Sequence, residues 1–279
     1  MNIHNWLLPI SITSLLLTSC EEKPIPIPPL ELGERKVLVE ELTGVQCQNC
    51  PDGTAELVAA GQVLGDRLIV VTLHAAKSFD EPYPESMDDF RSEDCRAVAD
   101  YLYYNGDPGA PTATVDRQFL DDFTGSFIYR PWTGTINARV AEKPEVGLFI
   151  NNSYEELTRS LNIEVNVAPD EVIDGEIRLS VFITEDSIRD VQLKKISPTQ
   201  AVKIPDYVHR HIFRDAVSVP TGDNITTQMK EGKAFTKNYS LVLPEKWVDK
   251  HCSVVAFIHK HGEHPVREIL QAEEKHIID

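Results

Sequence analysis

The chain has 279 residues, 42% hydrophobic and 25% charged, with 27 Lys and Arg against 44 Asp and Glu for a formal net charge of −17. That is enough apolar material for two globular cores. The acidic balance argues against a nucleic-acid partner, which needs a basic face, and fits a soluble, self-repelling surface.

The first residues speak to location. Trp6 to Leu17 is apolar but too short to span a bilayer comfortably. It ends in Leu17-Thr18-Ser19-Cys20, which resembles the lipobox of bacterial lipoproteins. The resemblance implies a signal peptide over 1–19, cleavage before Cys20 and lipidation of its sulfur. Met1 to Ser19 holds no Lys or Arg, a departure from the basic start of most signals. The segment 20–34 carries Pro24, Pro26, Pro28 and Pro29 and reads as an extended tether. No later stretch is apolar and long enough to cross a membrane, so the lipid is the expected anchor.

From Arg35 the pattern turns globular. Lys36 to Leu42 reads as a buried strand, Thr43 to Gln46 as a loop, and Cys47-Gln48-Asn49-Cys50-Pro51 as a Cys-x-x-Cys pair opening a helix through Ala55, Leu57 and Val58. Arg67 to His74 reads as a second strand. A helix start favours a thiolate, because its free N–H groups and dipole end are positive. Cys47 is then the expected exposed attacker and Cys50 the resolving thiol. Pro51 suits the first helical turn. Three readings of the pair stay open: redox chemistry, a static disulfide, or half a zinc site. Zinc needs two further ligands at matching spacing, and Cys95 and Cys252 are isolated, each an expected buried thiol.

Further on, Ala110-Pro111-Thr112-Ala113-Thr114-Val115-Asp116 resembles the cis-proline element that faces the Cys pair in thioredoxin-like proteins. The two motifs together imply a thioredoxin-like domain over 35–143, with an insertion from Ala75 to Asn105. Within it, Ser92 to Tyr104 reads as a helix and Phe79 to Ser86 as a loop near the site. Gln46 stands where thioredoxin has Trp, and Gln48-Asn49 where it has Gly-Pro.

Past Lys143-Pro144 the period becomes two. Leu161, Ile163, Val165 and Val167 alternate with polar residues, as do Ile177, Leu179, Val181 and Ile183. Further strands are read at Val146–Asn151, His209–Val217, Tyr239–Leu243, Ser253–His259 and Val266–Gln271, the last two forming a hairpin. This predicts an all-β immunoglobulin-like sandwich over 144–279. His259, His261 and His264 crowd that hairpin turn, but solvated turn histidines are commoner than metal sites. No metal or cofactor is expected.

Several of these segments resemble the Omp28-related outer-membrane proteins of Bacteroidetes. They are Glu40 to Pro51, Pro111 to Arg117, Thr184 to Ile188, His209 to Arg214, Val254 to Ile258 and Glu268 to Glu273. The resemblance implies a thioredoxin-like domain, an immunoglobulin-like domain and an outer-membrane lipoprotein. Two functions follow as expectations. One is a thiol–disulfide oxidoreductase acting on thiols or disulfides of envelope proteins, with Cys47, Cys50 and Pro111 as site residues. The other is a non-enzymatic surface-binding or adhesion lipoprotein with a structural Cys47–Cys50 disulfide. If Cys20 carries the anchor, Cys20→Ser abolishes incorporation of labelled palmitate and moves the protein from the membrane to the soluble fraction. Unchanged labelling would refute the lipobox reading.

Overall fold

The structure is a computed structural model that describes residues 32–103, 106, 108–118, 130–262 and 267–278. The signal segment, Cys20, most of the tether and His264 lie outside these residues.

Strands β1 (Val37–Thr43) and β2 (Leu68–His74) pair in parallel, and β3 (Thr112–Val115) lies antiparallel on the other side of β1. Helix α1 (Cys50–Leu64) links β1 to β2; α2 (Glu93–Leu102) lies in the insertion, and α3 (Arg130–Val140) follows β3. Alternate residues of β1 and β2 serve two cores, which is why these strands read as unbroken apolar runs. Val37, Val39 and Val70 pack with Leu57, Trp132 and Ile136 of α1 and α3. Leu38, Leu42, Val71 and Leu73 pack on the opposite face with Val98 and Leu102 of α2. Ser92 caps α2 by accepting the Cys95 N–H, and Glu93 and Asp94 suit its positive end.

Apart from one 3-10 turn at Asp249–His251, the second part is built of strands: β4 (Val146–Glu155), β5 (Ser160–Pro169), β6 (Ile173–Glu185), β7 (Ile188–Ser197), β8 (Gln200–His209), β9 (Ile212–Ala216), β10 (Asp223–Met229), β11 (Phe235–Val242), β12 (Cys252–His261) and β13 (Ile269–His276). A sheet in the order β11-β5-β4 packs against a larger one. Leu148, Ile150, Ile163 and Val165 meet Leu179, Val181, Val254 and Ala256 between them. The molecule is thus mixed α/β with a β-rich C-terminal part.

The larger sheet does not stop at residue 143. Its order is β13-β12-β6-β9-β2-β1-β3, with β10 also on β6. The join is narrow: β2 meets β9 at Thr72 and Ile212, and the Thr72 N–H donates to the His211 carbonyl at 2.8 Å. The reverse faces of β6 and β12 therefore stay buried. Phe182, Phe213 and Phe257 form edge-to-face pairs there, 5.0 and 5.1 Å between centroids, in the same core as Leu38 and Leu42. The single strand expected over His209–Val217 is two, β8 and β9, because His211 turns the chain at φ +52°. Strands β7, β10 and all of β8 before His209 escaped the sequence reading.

A buried ionic node locks the seam. Asp116 Oδ1 accepts the Leu38 N–H at 3.0 Å, while Oδ2 accepts from Arg35 at 2.5 Å and Arg139 at 2.9 Å. Both arginines also donate to the Ile269 carbonyl of β13. Next door, Arg117 forks onto Glu40 with two 2.9 Å bonds, and its guanidinium lies 4.7 Å from the Phe257 ring centre. Removing one partner of such a pair strands a buried charge. Asp116→Ala is expected to lower the unfolding free energy by about 3–5 kcal/mol in urea titrations. A loss below about 1 kcal/mol would show the node to be dispensable.

Candidate functional site

The Cys47–Cys50 pair sits where β1 runs into α1. Gly44 must be glycine here: a Cβ on it would stand 2.3 Å from the Phe79 carbonyl oxygen, so the insertion loop lies directly on the turn. The Gln46 N–H donates to that same carbonyl at 2.9 Å. The turn closes with the Cys47 N–H on Gly44 O at 3.0 Å and the Cys50 N–H on Cys47 O at 3.3 Å. Helix α1 begins at Cys50, with Pro51 in its first turn and Asn49 at the cap. Cys47 thus precedes the helix by one turn, and Cys50, not Cys47, opens it. The two sulfurs are joined as a disulfide.

Pro111 lies across from this helix. A Cβ on Gly53 would stand 3.1 Å from Pro111 Cβ and 3.3 Å from Trp132, so glycine admits the proline ring against α1. The Ala110–Pro111 peptide bond is cis. Ala110 shares the buried cluster of Cys47 and Cys50.

Cys47 differs from the sequence expectation of an exposed attacker: it is 2% exposed, as is Cys50. The cover is the β7–β8 hairpin, which stands as a two-stranded sheet of its own. The Leu193 N–H donates to Val45 O and the Lys195 N–H to Gln48 O, each at 2.8 Å. Between them, Gln192 Nε2 donates to Cys47 O at 3.0 Å and Gly44 O at 3.3 Å.

Behind Cys50 lies a small polar cavity lined by Cys50, Thr54, Thr72, His74, Tyr207 and His209. Thr54 Oγ1 reaches Glu41 at 3.1 and 3.3 Å. Glu41 is fully buried, and loss of water pushes its carboxyl up to about 8. Burial also holds His74 well below the usual imidazole range and His209 at about 4, so both rings are neutral at pH 7. Their rings stand 5.5 Å apart, and His74 Nδ1 and His209 Nε2 meet no protein partner among the described residues. Sequence reading missed Glu41 and His74. The available signal was an acid and an imidazole inside strands that are otherwise apolar.

The remaining candidates are structural. Cys95 and Cys252 are free and buried, with thiols pushed up to about 12 by loss of water. His259 packs against Ser180, at 3.1 Å between Oγ and Nε2, and His261 stacks on Tyr101. No group of His, Cys, Asp or Glu among the described residues is placed to hold a metal ion.

Fold and site together define a mixed α/β protein with a β-rich C-terminal part and a covered Cys-x-x-Cys disulfide backed by a neutral buried acid. A family model described as outer membrane protein Omp28 matches residues 99–277. The chain belongs to this Omp28 family. The match takes in Pro111, Asp116 and Arg117 and begins after the Cys pair. HBP35 of Porphyromonas gingivalis has a similar fold, with 17% identity and a TM-score of 0.67 over 88% of this chain and 76% of that one. So has a protein from Agrobacterium tumefaciens, with 13% identity and a TM-score of 0.54 over 88% and 96%. A domain of the outer membrane lipoprotein Omp28 from Porphyromonas gingivalis aligns at 16% identity and a TM-score of 0.33 over 48% and 88%. No curated protein matches the chain in sequence. No helix among the described residues is long and apolar enough to cross a membrane.

The Glu41 shift has a sign that can be measured. A carboxyl raised from 4.5 to about 8 stays protonated in the folded state over that range. Its contribution to stability is full below about pH 4.5 and is lost as pH rises toward 8. The two histidines act the other way, losing stability as pH falls below about 6.5. The clean window is therefore pH 6.5–8. There the stability of the wild type falls relative to Glu41→Gln, by at most about 1.4 kcal/mol per pH unit. Parallel urea curves for the two proteins across this window would exclude the raised acid.

Proposed function

We propose that this protein is a lipid-anchored outer-membrane protein whose thioredoxin-like part, 35–143, exchanges disulfides with envelope proteins. The part over 144–279 is an immunoglobulin-like sandwich that shares a sheet with it. Support for the two-part fold comes from the strand order, from the Cys pair at the start of α1 opposite Pro111, and from the likeness to HBP35. Support for the location comes from the family and from the lipobox-like run ending in Cys20.

The observation that carries the exchange reading is the buried, neutral Glu41 reaching through Thr54 to the cavity wall that Cys50 shares. Strongly perturbed buried carboxyls gather at working sites, which favours exchange over a static staple. In the exchange, a client thiolate attacks Cys47 Sγ and the Cys47–Cys50 bond breaks. A mixed disulfide forms and Cys50 leaves as a thiolate. Glu41, protonated below about pH 8, supplies the proton that neutralises it. The client's second thiolate then attacks the mixed disulfide. It leaves with its own disulfide formed, Cys47 is released as a thiolate, and two electrons have passed to the pair. The reverse sequence, starting from the reduced pair, reduces a client disulfide.

A second reading rests on the 2% exposure of Cys47 under the hairpin: a surface-binding lipoprotein in which the disulfide is a fixed staple. Insulin reduction by the soluble fragment 35–279, driven by dithiothreitol, separates the two. On the exchange reading the fragment accelerates precipitation, Cys47→Ser returns it to background, and Glu41→Gln slows it by about 10²-fold. No acceleration by the wild type, together with a large drop in Tm on reduction, would establish the staple.

A further inference from the structure

We propose that the β7–β8 hairpin is a displaceable strap, holding the position across the Cys47–Cys50 turn that an extended client polypeptide takes during exchange. The proposal rests on the exchange reading and adds the gate that reading needs.

The bonding pattern names the client's chemistry. Leu193 and Lys195 are two residues apart on β7, so their amides leave the same edge of the strand. Those two N–H groups meet Val45 O and Gln48 O on either side of Cys47, each at 2.8 Å. This is how an added strand docks: main-chain bonds at alternate residues, with side chains between. Any extended backbone offering N–H groups at positions i and i+2 satisfies the same two acceptors. The Gln192 side chain fills the interval by donating to Cys47 O.

Besides the Gln192, Leu193 and Lys195 bonds to the Cys turn, the strap is tied at its base and, more weakly, toward its tip. At its base, the buried Asp190 carboxylate accepts the Met87 and Asp88 N–H groups at 2.8–3.1 Å. Toward its tip the attachment is an exposed pair, Lys203 to Glu85 at 2.5 Å, with the ammonium 3.8 Å over the Tyr83 ring. Exposed ion pairs hold weakly. Ile196 at the tip is 54% exposed. The hairpin pairs with neither larger sheet, and a lone two-stranded hairpin is marginal by itself. Such a segment belongs to the least stable part of a fold, which opens without global unfolding. His209, the last residue of β8, is one wall of the cavity behind Cys50. Lifting the strap therefore uncovers Cys47 and opens that cavity together.

The test is the rate at which tris(carboxyethyl)phosphine reduces Cys47–Cys50 in the folded fragment 35–279, followed by quenching and thiol labelling. With a gate, the rate levels off at high reductant, where opening becomes limiting. Gln192→Ala raises that plateau about five-fold, the effect of losing a hydrogen bond of ordinary strength. Amide exchange gives a second readout in the wild type: Leu193 and Lys195 exchange together and well before Ala256 of β12. A rate that climbs linearly without a plateau and ignores Gln192→Ala would overturn the strap. So would exchange of Leu193 only on global unfolding. A plateau in a protein that no variant turns into an insulin reductase would sink the exchange reading and leave the hairpin as a cover.

Discussion

The Asp116 carboxylate is the point on which the two parts of the molecule turn. It ends β3, takes the Leu38 N–H of β1, and holds Arg35 and Arg139, which both reach over to the Ile269 carbonyl of β13. One side chain therefore joins the first strand, the third helix and the last strand. Its backbone, at φ +48°, is in a region that non-glycine residues seldom adopt, and Arg117 follows at +56°. The turn sends Arg117 back onto Glu40 and against Phe257. Buried ion pairs such as these three often add less stability than apolar packing of the same volume would. Their effect here is geometric: each guanidinium fork accepts one relative placement of the strands it ties.

That placement sets the character of the Cys pair. With β9 beside β2, the chain between β6 and β9 lies next to the first part, and its excursion, the β7–β8 hairpin, reaches the turn after β1. Joined to the β-rich part through one sheet, the N-terminal part has its Cys turn roofed by β7. The chemistry beneath the roof is unusually dry. Glu41, His74 and His209 all shift toward their neutral forms because burial removes water from each. Thr54, which lines the cavity beside Cys50, ties it to the Glu41 carboxyl.

Much of this was legible in the residues. Strands β1 and β2, the Cys pair at the start of α1 and the proline before β3 each carry a local signal: an apolar run, a helix start, a proline that cannot sit mid-strand. The alternation along β5 and β6 matches the face each turns toward the other sheet. The hairpin was not legible, for a physical reason. Asp190, Val191 and Gln192 are buried in succession within the hairpin, not alternately against a continuous sheet, so β7 shows no clean period of two. Pro205 interrupts β8 at a bulge, and a proline inside a run argues against a strand. Glu41 was missed because its neighbours along the strand are its pleat partners, whereas Thr54 and Thr72 come from elsewhere in the chain.

The sequence by itself determined the local chemistry: an acidic chain, a Cys-x-x-Cys turn, a proline loop and strands with one or two buried faces. Those features depend on residues within a few positions of one another, where spacing and side-chain type suffice. Only the tertiary structure decided that one sheet runs through both parts and that Cys47 is covered. It also put Glu41 beside a cavity shared with Cys50. Each of these depends on which distant backbone supplies the next hydrogen-bonding edge. The join between β2 and β9 is a single residue pair, Thr72 and Ile212, too brief to leave a periodic trace in either strand.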